Sequence, residues 1–406
     1  MEYSKIGDIC LKVCSGGTPT SSNPNYYNGG IPWLNTNEVN FCNIDSTNKT
    51  ISQEGLEHSA AKYIPANTVI VAMYGVTAGR SAIAKIPLTT NQACCNLVID
   101  AAKADYRYVY YFLKQQSDNL NKLANGGAQQ NLNSLIIKKY KIALPNLEVQ
   151  HRIASILSTY DSLIENNTKR IRLLEKMAEN LYKEWFVRFR FPGHENVEME
   201  NGLPKGWKVM HIKDIATLKS GFAFKSEWFV SEGCGVAKIK DIGETFMDLS
   251  NLSYVCEDNC KKAQRFILKE GMLTIALTGA TIGKISIVPK HSTCIYTNQR
   301  LGKFFVENQP IDSLPFLYCL FSQESMVQDI INLANSSSAQ PNISPEQINN
   351  IKFTCDEKII DKYNQMLKGY FQIMIDLHCQ NSLLARQRDL LLPRLMSGKL
   401  EVKVKA

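Results

Sequence analysis

Between Leu147 and about Val187 the chain places apolar residues at Ile153, Ile156/Leu157, Tyr160, Leu163/Ile164, Ile171, Leu174, Ala178, Leu181 and Trp185. Steps alternating between three and four residues make a heptad stripe, and Asn167 takes one of its core places. Neither Pro nor Gly intervenes before Pro192-Gly193, where the helix is expected to stop. A second stripe runs through Ile360, Tyr363, Leu367, Tyr370, Met374, Leu377, Leu384 and Leu391, with Asn381 in a core place, up to Pro393. At about 1.5 Å per residue these are rods of roughly 50–60 Å, well beyond the usual helix. Each has one apolar side and too little apolar surface to stand alone. Packing them on each other as an antiparallel coiled coil buries both stripes. An Asn in such a seam reads as a register pin rather than a ligand.

Elsewhere the pattern changes. Residues 1–145 and 192–354 are rich in Gly, Asn, Ser and Thr. Short β-type runs, such as Thr68-Val-Ile-Val-Ala-Met73 and Ile282-Gly-Lys-Ile-Ser-Ile-Val288, are bounded by turn residues. The two stretches are copies. Met73-Tyr-Gly-Val-Thr-Ala-Gly-Arg80 matches Leu277-Thr-Gly-Ala-Thr-Ile-Gly-Lys284, and Thr90-Asn91-Gln92 matches Thr297-Asn298-Gln299. Further on, Ala128-Gln129-Gln130-Asn131-Leu132 matches Ala339-Gln340-Pro341-Asn342-Ile343; upstream, Ser15-Gly16 matches Ser220-Gly221. Matches in one order at nearly constant offset mark a tandem duplication. The expected fold is α+β. Two pseudo-repeated globular domains (1–145 and 192–354) are joined by two long helices (146–191, and 355–406 with a C-terminal tail) packed as an antiparallel coiled coil.

Composition narrows the chemistry. A chain of 406 residues with 44% hydrophobic and 21% charged residues is globular and long enough for two domains with their own cores. A net charge of +8 favours an acidic partner such as nucleic acid. The closest cysteines, Cys10/Cys14, Cys94/Cys95 and Cys256/Cys260, lack both the Cys-x-x-Cys form and a nearby histidine, so no metal is expected and the thiols read as small buried hydrophobes. The N-terminus shows no signal-peptide pattern and no apolar run spans a bilayer, which points to a cytoplasmic protein with no membrane partner.

Motifs that suggest catalysis fail in detail. Gly279-Ala-Thr-Ile-Gly283-Lys284 has three residues between its glycines where a phosphate-binding Walker loop needs four, and Ile285 stands where Ser or Thr would hold Mg²⁺. A tight turn carrying one exposed base explains it better, as it does Gly75 to Arg80. Asn23-Pro24-Asn25-Tyr26 lacks the second proline of the Asn-Pro-Pro-Tyr box of adenine methyltransferases, and no cofactor loop precedes it. The six histidines are scattered. No catalytic residue is therefore expected. What recurs is amide and base: Asn91/Gln92 with Asn298/Gln299, Gln129/Asn131 with Gln340/Asn342, and Arg80 with Lys284. Asn and Gln can read adenine, whereas Arg and Lys read guanine or hold phosphate. Their recurrence in two domains that should read different sequences favours a scaffold or backbone-contact role. Base readers are expected where the copies diverge, as in Ser21 to Asn37 against Lys225 to Asp241.

Two segments carry a family resemblance. Pro145-Asn-Leu-Glu-Val-Gln150-His-Arg-Ile153, with the helix ending Leu181-Tyr-Lys-Glu-Trp-Phe186, resembles the central region of type I restriction–modification specificity subunits. Arg386-Gln-Arg-Asp-Leu-Leu-Leu-Pro393-Arg-Leu-Met-Ser-Gly-Lys-Leu400 resembles their distal region. Val149 stands where Glu is usual, and Cys355-Asp-Glu replaces the Pro-containing start of the second helix. The resemblance implies a non-catalytic subunit recognising a bipartite, asymmetric site in double-stranded DNA. The helices would set the gap and dock two methyltransferase subunits, through Gln150, Ile153, Leu174, Leu181, Trp185, Phe186, Leu384, Arg388, Leu391 and Leu395. S-adenosylmethionine, ATP and Mg would belong to the methyltransferase and restriction motor subunits. The alternatives are a coiled-coil scaffold without DNA specificity, which leaves the duplicated domains unexplained, and a self-sufficient DNA methyltransferase, for which the length leaves no room.

Overall fold

The computed structural model describes residues 2–125, 132–335 and 341–403. The chain forms two compact units: Met1–Leu163 with Leu384–Ala406, and Ile164–Leu383. Each unit therefore takes one globular part and a portion of both long helices.

In the first unit a five-stranded sheet has the order Cys10–Ser15, Cys94–Ile99, Val69–Ala72, Ser81–Ala84, Asn43–Ile44. Beside it lies a three-stranded sheet of Lys49–Ile51, Tyr27–Leu34 and Thr89–Thr90. Every residue of Val69–Ala72 is buried. Successive side chains point to opposite faces, and both faces are covered. Val69 and Val71 pack with the helix Tyr106–Gln115, while Ile70 and Ala72 pack with Leu34, Val39 and Leu88. The second unit repeats the plan. Thr217–Ser220, Leu301–Phe305, Leu273–Ala276 and Ile285–Ile287 form one sheet. Phe229–Val230, Ser253–Val255, Cys234–Ala237 and Ile295–Thr297 form the other.

The first long helix spans Leu147–Tyr182 and the second Glu357–Met396. Opposite ends meet within each unit, as antiparallel pairing requires. Ile153 and Leu157 share a core with Leu392, Leu395 and Met396 in the first unit. Ala178 and Tyr182 share one with Tyr363 and Leu367 in the second. The expected register pins are reciprocal: Asn167 Nδ2 donates to Gln380 Oε1 (2.9 Å), and Asn381 Nδ2 to Thr168 Oγ1 (3.2 Å). Both helices are capped in spite of their unusual starts, because Asn146 Oδ1 accepts from Val149 N and Asp356 Oδ1 from Lys358 N.

Four expectations need correction. The first helix does not run to Pro192. It widens into a π-turn at Lys183–Val187, and Phe189 follows with φ +58°. That turn buries the neighbours Trp185 and Phe186 in an aromatic cluster with Tyr182, Phe316 and Tyr363. The second helix does not stop at Pro393. A proline so near the end removes one N–H from the ladder, and burial of Leu392, Leu395 and Met396 offsets that loss. Leu163 and Tyr370 are 47% and 40% exposed rather than core, whereas Phe371 is fully buried against Tyr318. A helix that touches both a partner helix and a globular core needs a wider apolar face than a two-position stripe. The cysteines are not uniformly buried either: Cys256 and Cys294 are exposed.

Candidate nucleic-acid interface

Each unit builds the same small framework from the repeated residues. In the first, Gly75 and Gly79 have positive φ (77° and 82°), so the chain reverses tightly after Val69–Ala72. Gly79 N then donates to Ala72 O, Ala72 N to Arg80 O, and Arg80 N to Thr77 O, each at 2.9 Å. In the second, Gly279 and Gly283 take φ of 79° and 81°. Gly283 N, Ala276 N and Lys284 N make the corresponding bonds to Ala276 O, Lys284 O and Thr281 O, at 2.9–3.0 Å. The Walker-like spacing is thus a turn between antiparallel strands. One detail differs from expectation: Lys284 is exposed, but Arg80 is half-buried and donates to Asn40 Oδ1 (2.8 Å).

The Ser-Gly and Thr-Asn-Gln repeats belong to one contact. A Cβ on Gly16 would fall 2.0 Å from Thr90 O, and one on Gly221 2.4 Å from both Thr297 O and Asn298 O. Gly17 N donates to Thr90 O, and Phe222 N to Thr297 O, both at 2.9 Å. Asn91 is largely engaged internally. Its Nδ2 donates to Asn35 Oδ1 (3.2 Å) and its Oδ1 accepts from Ala93 N (3.2 Å). Asn298 Oδ1 likewise accepts from Arg300 N (3.2 Å). Gln92 is exposed and hydrogen-bonded with Thr18, and Gln299 is exposed with its N–H on Phe222 O. Asn342 is exposed and bridges Thr278. Gln129, Asn131 and Gln340 lie outside the described residues.

The structure adds a feature that sequence reasoning passed over. Asn91 N donates to Leu34 O, and Asn298 N to Ala237 O (2.9 Å each). Each acceptor is followed by a single 3₁₀ turn, Thr36–Glu38 or Ile239–Asp241, closed by a carboxylate. Glu38 Oε1 accepts from Asn35 N (3.1 Å), and Asp241 Oδ2 from Lys238 N (2.8 Å). Burial pushes the Asp241 carboxyl up, against the pull of its hydrogen bond from Lys238 N and of the Lys240 charge. Burial lowers Lys238, aided by repulsion from Lys240, and its ammonium lies 3.9 Å from the Phe229 ring centroid. The readable signal was Asn35-x-x-Glu38 beside Lys238-x-x-Asp241, an acid four residues after a strand end.

A sequence profile described as the type I restriction modification DNA specificity domain matches residues 1–176 and 204–355. The chain belongs to the family of type I restriction–modification specificity subunits. Its relatives include the MjaIX specificity subunit of Methanocaldococcus jannaschii, 26% identical over 99% of this chain and 94% of that protein. The MjaVIII specificity subunit of the same organism is 25% identical over 99% and 93%. Among solved structures, the S subunit of a type I system from M. genitalium has the same fold, with a TM-score of 0.61 and 21% identity over 97% of this chain and 95% of that one. This specificity subunit supplies DNA specificity to a restriction enzyme and is itself non-catalytic.

The residues expected to dock partners on this specificity subunit mostly face inward. Gln150 is buried, accepting from Asp105 N (3.1 Å) and donating to Pro145 O (2.8 Å), which ties the helix start to the first domain. Burial would raise the Asp105 carboxyl, but hydrogen bonds from Arg107 and His151 hold it below its ordinary value. Ile153, Trp185, Phe186 and Leu395 are buried, and Leu174, Leu181, Leu384 and Leu391 are half-buried. Arg388 pairs with Asp161 and Asp389. Large apolar side chains that do face outward in the second unit include Leu173 and Met177 on the first long helix and Met366, Tyr370, Ile373 and Leu383 on the second. Among the described residues no cluster of His, Cys, Asp or Glu could hold a metal, and no helix is long and apolar enough to cross a membrane.

Proposed function

We propose that this specificity subunit reads a bipartite, asymmetric site in double-stranded DNA, with residues 1–145 addressing one half and 192–354 the other. The observation that carries this reading is the duplicated framework itself. Its backbone hydrogen bonds coincide in the two units, while the side chains mounted on it differ. A common frame bearing different side chains is what two readers of different sequences require. The helical segments 146–191 and 355–406 serve as spacer and as docking ground for two methyltransferase subunits. The outward stripes Leu173/Met177 and Met366/Tyr370/Ile373, at helical spacing, supply an apolar surface suited to a partner. S-adenosylmethionine, and ATP with Mg in a restriction motor, act in those partners, and the complex works in the cytoplasm. Arg80 and Lys284 hold phosphate, and the repeated amides support the frame.

The test exchanges residues 1–145 for the same part of a related subunit and maps methylated sites in cells carrying the partner methyltransferase. One half of the target should change and the other should stay. Alteration of both halves would refute independent reading.

A further inference from the structure

The carboxylate-closed turns occupy one place in the two frameworks, yet their outward residues differ. Asn35, Asn37 and Asn40 in the first unit stand where the second has Lys238, Lys240 and Gly243. Asn37 and Lys240 are both exposed. The backbone beneath them is fixed. Val39 N donates to Thr36 O (3.1 Å), and Thr77 Oγ1, from the glycine turn, donates to the same carbonyl (2.8 Å). In the second unit Ile242 N donates to Ile239 O (3.2 Å). The recurrent cation reaches the segment just past the turn in both: Arg80 to Asn40 Oδ1 (2.8 Å) and Lys284 Nζ to Ile242 O (3.4 Å).

This pairing has the division of labour that groove reading demands. Phosphate contacts position the protein and are indifferent to sequence, whereas specificity comes from side chains at base edges. A rigid turn loses little conformational entropy when it docks, and a cation beside it is suited to grip the adjoining phosphate. The side chains differ along the whole turn, but the buried pair Val39/Ile242 stays apolar and the closing pair Glu38/Asp241 stays acidic, while the exposed pair Asn37/Lys240 changes chemistry on hydrogen bonds that recur. Asparagine offers the donor–acceptor pair that matches adenine N6 and N7, and lysine offers donors alone, matching guanine O6 and N7. Lys240 Nζ rests on Asn251 O (2.8 Å), which holds its stem across the turn.

We infer that these turns are base-reading edges of this specificity subunit, Asn37 reading an adenine in one half-site and Lys240 a guanine in the other. The inference rests on the proposal that each unit addresses its own half of the target.

The experiment uses the full chain with its methyltransferase subunit, selecting bound duplexes from a randomised library that is then sequenced. The parent should yield a split motif. Asn37→Ala should lower discrimination about ten- to a hundredfold at one adenine of one half-site, and leave the other half unchanged. Lys240→Ala should do the same at one guanine of the opposite half, and Lys240→Arg should keep that guanine. Asn37 is exposed, so its alanine variant should melt with the parent, and Asn37→Ser provides a second probe at the first turn. Lys240→Ala also removes the cation 3.6 Å from the buried Asp241, so the charge-keeping Lys240→Arg is the control for folding at the second turn. An unaltered motif in the alanine variants would overturn the assignment while leaving the split reading standing. A parent motif that is not split would refute the split reading itself, and this inference with it.

Discussion

Arg388 was expected to face a partner, and the structure instead places it inside the first unit, which makes its removal informative. Its side chain is 13% exposed and Nη1 bonds Asp161 Oδ1, whose side chain is 21% exposed. Tyr111 OH donates to the other Asp161 oxygen (2.5 Å), and burial followed by the Asp161 charge pushes that hydroxyl far above the ordinary tyrosine value. The network joins the second long helix, the first long helix and the helix Tyr106–Gln115. Arg388→Ala leaves a largely buried carboxylate with one neutral donor. Breaking a fully buried pair from one side costs about 3–5 kcal/mol. The remaining exposure brings the expected loss to about 2–3 kcal/mol. Arg388 also holds Asp389 (2.8 Å), so Asp161→Ala should cost less than Arg388→Ala. A double-mutant cycle of the two, followed by thermal unfolding, should give a coupling of about 1–2 kcal/mol. Hydrogen exchange in peptides covering 384–396 should accelerate in the Arg388 variant, because the last turns of the helix lose their anchor. A variant within about 0.5 kcal/mol of the parent, with unchanged exchange, would refute the reasoning.

Three further outcomes follow from the geometry. Lys303 is buried, with Nζ 2.6 Å from Ile267 O, and burial lowers its pKa from 10.5 to about 8. Between those values the unfolded chain holds a proton that the folded chain has released, so this group makes stability rise with pH. Denaturant titrations from pH 8 to 10.5 should show the parent gaining about 3 kcal/mol relative to Lys303→Met, and parallel curves would disprove it. Gly16→Ala and Gly221→Ala should each destabilise their unit by more than about 2 kcal/mol, since a methyl cannot coexist with the Thr90 or Thr297 carbonyls; unchanged melting would contradict the close approach. Arg80→Gln and Lys284→Gln should weaken binding to every duplex alike and reduce the salt slope by about one each. A changed base preference at constant slope would make them readers instead of clamps.

The amino-acid sequence by itself determined the duplication, the α+β plan with two long helices, and the pins at Asn167 and Asn381. These follow from local periodicity and from residues recurring at fixed offset, which need no knowledge of distant contacts. It also showed that Gly16, Thr90 and Asn91 go together with Gly221, Thr297 and Asn298, without showing why. Only the tertiary structure decided that. Glycine is required there because a carbonyl from a strand some seventy-five residues away occupies the space of a Cβ. The same holds for direction along the helices. Leu163, Tyr370 and Arg388 fit or miss the stripe by heptad spacing, but their exposure depends on whether a globular core also covers that side. The turns at Asn35–Glu38 and Lys238–Asp241 were written in the chain as short boxes, and nothing local raised them above many such boxes. Their significance came from convergence, when the fold brought the glycine turn, the recurrent Asn and the divergent side chains to one place in each unit.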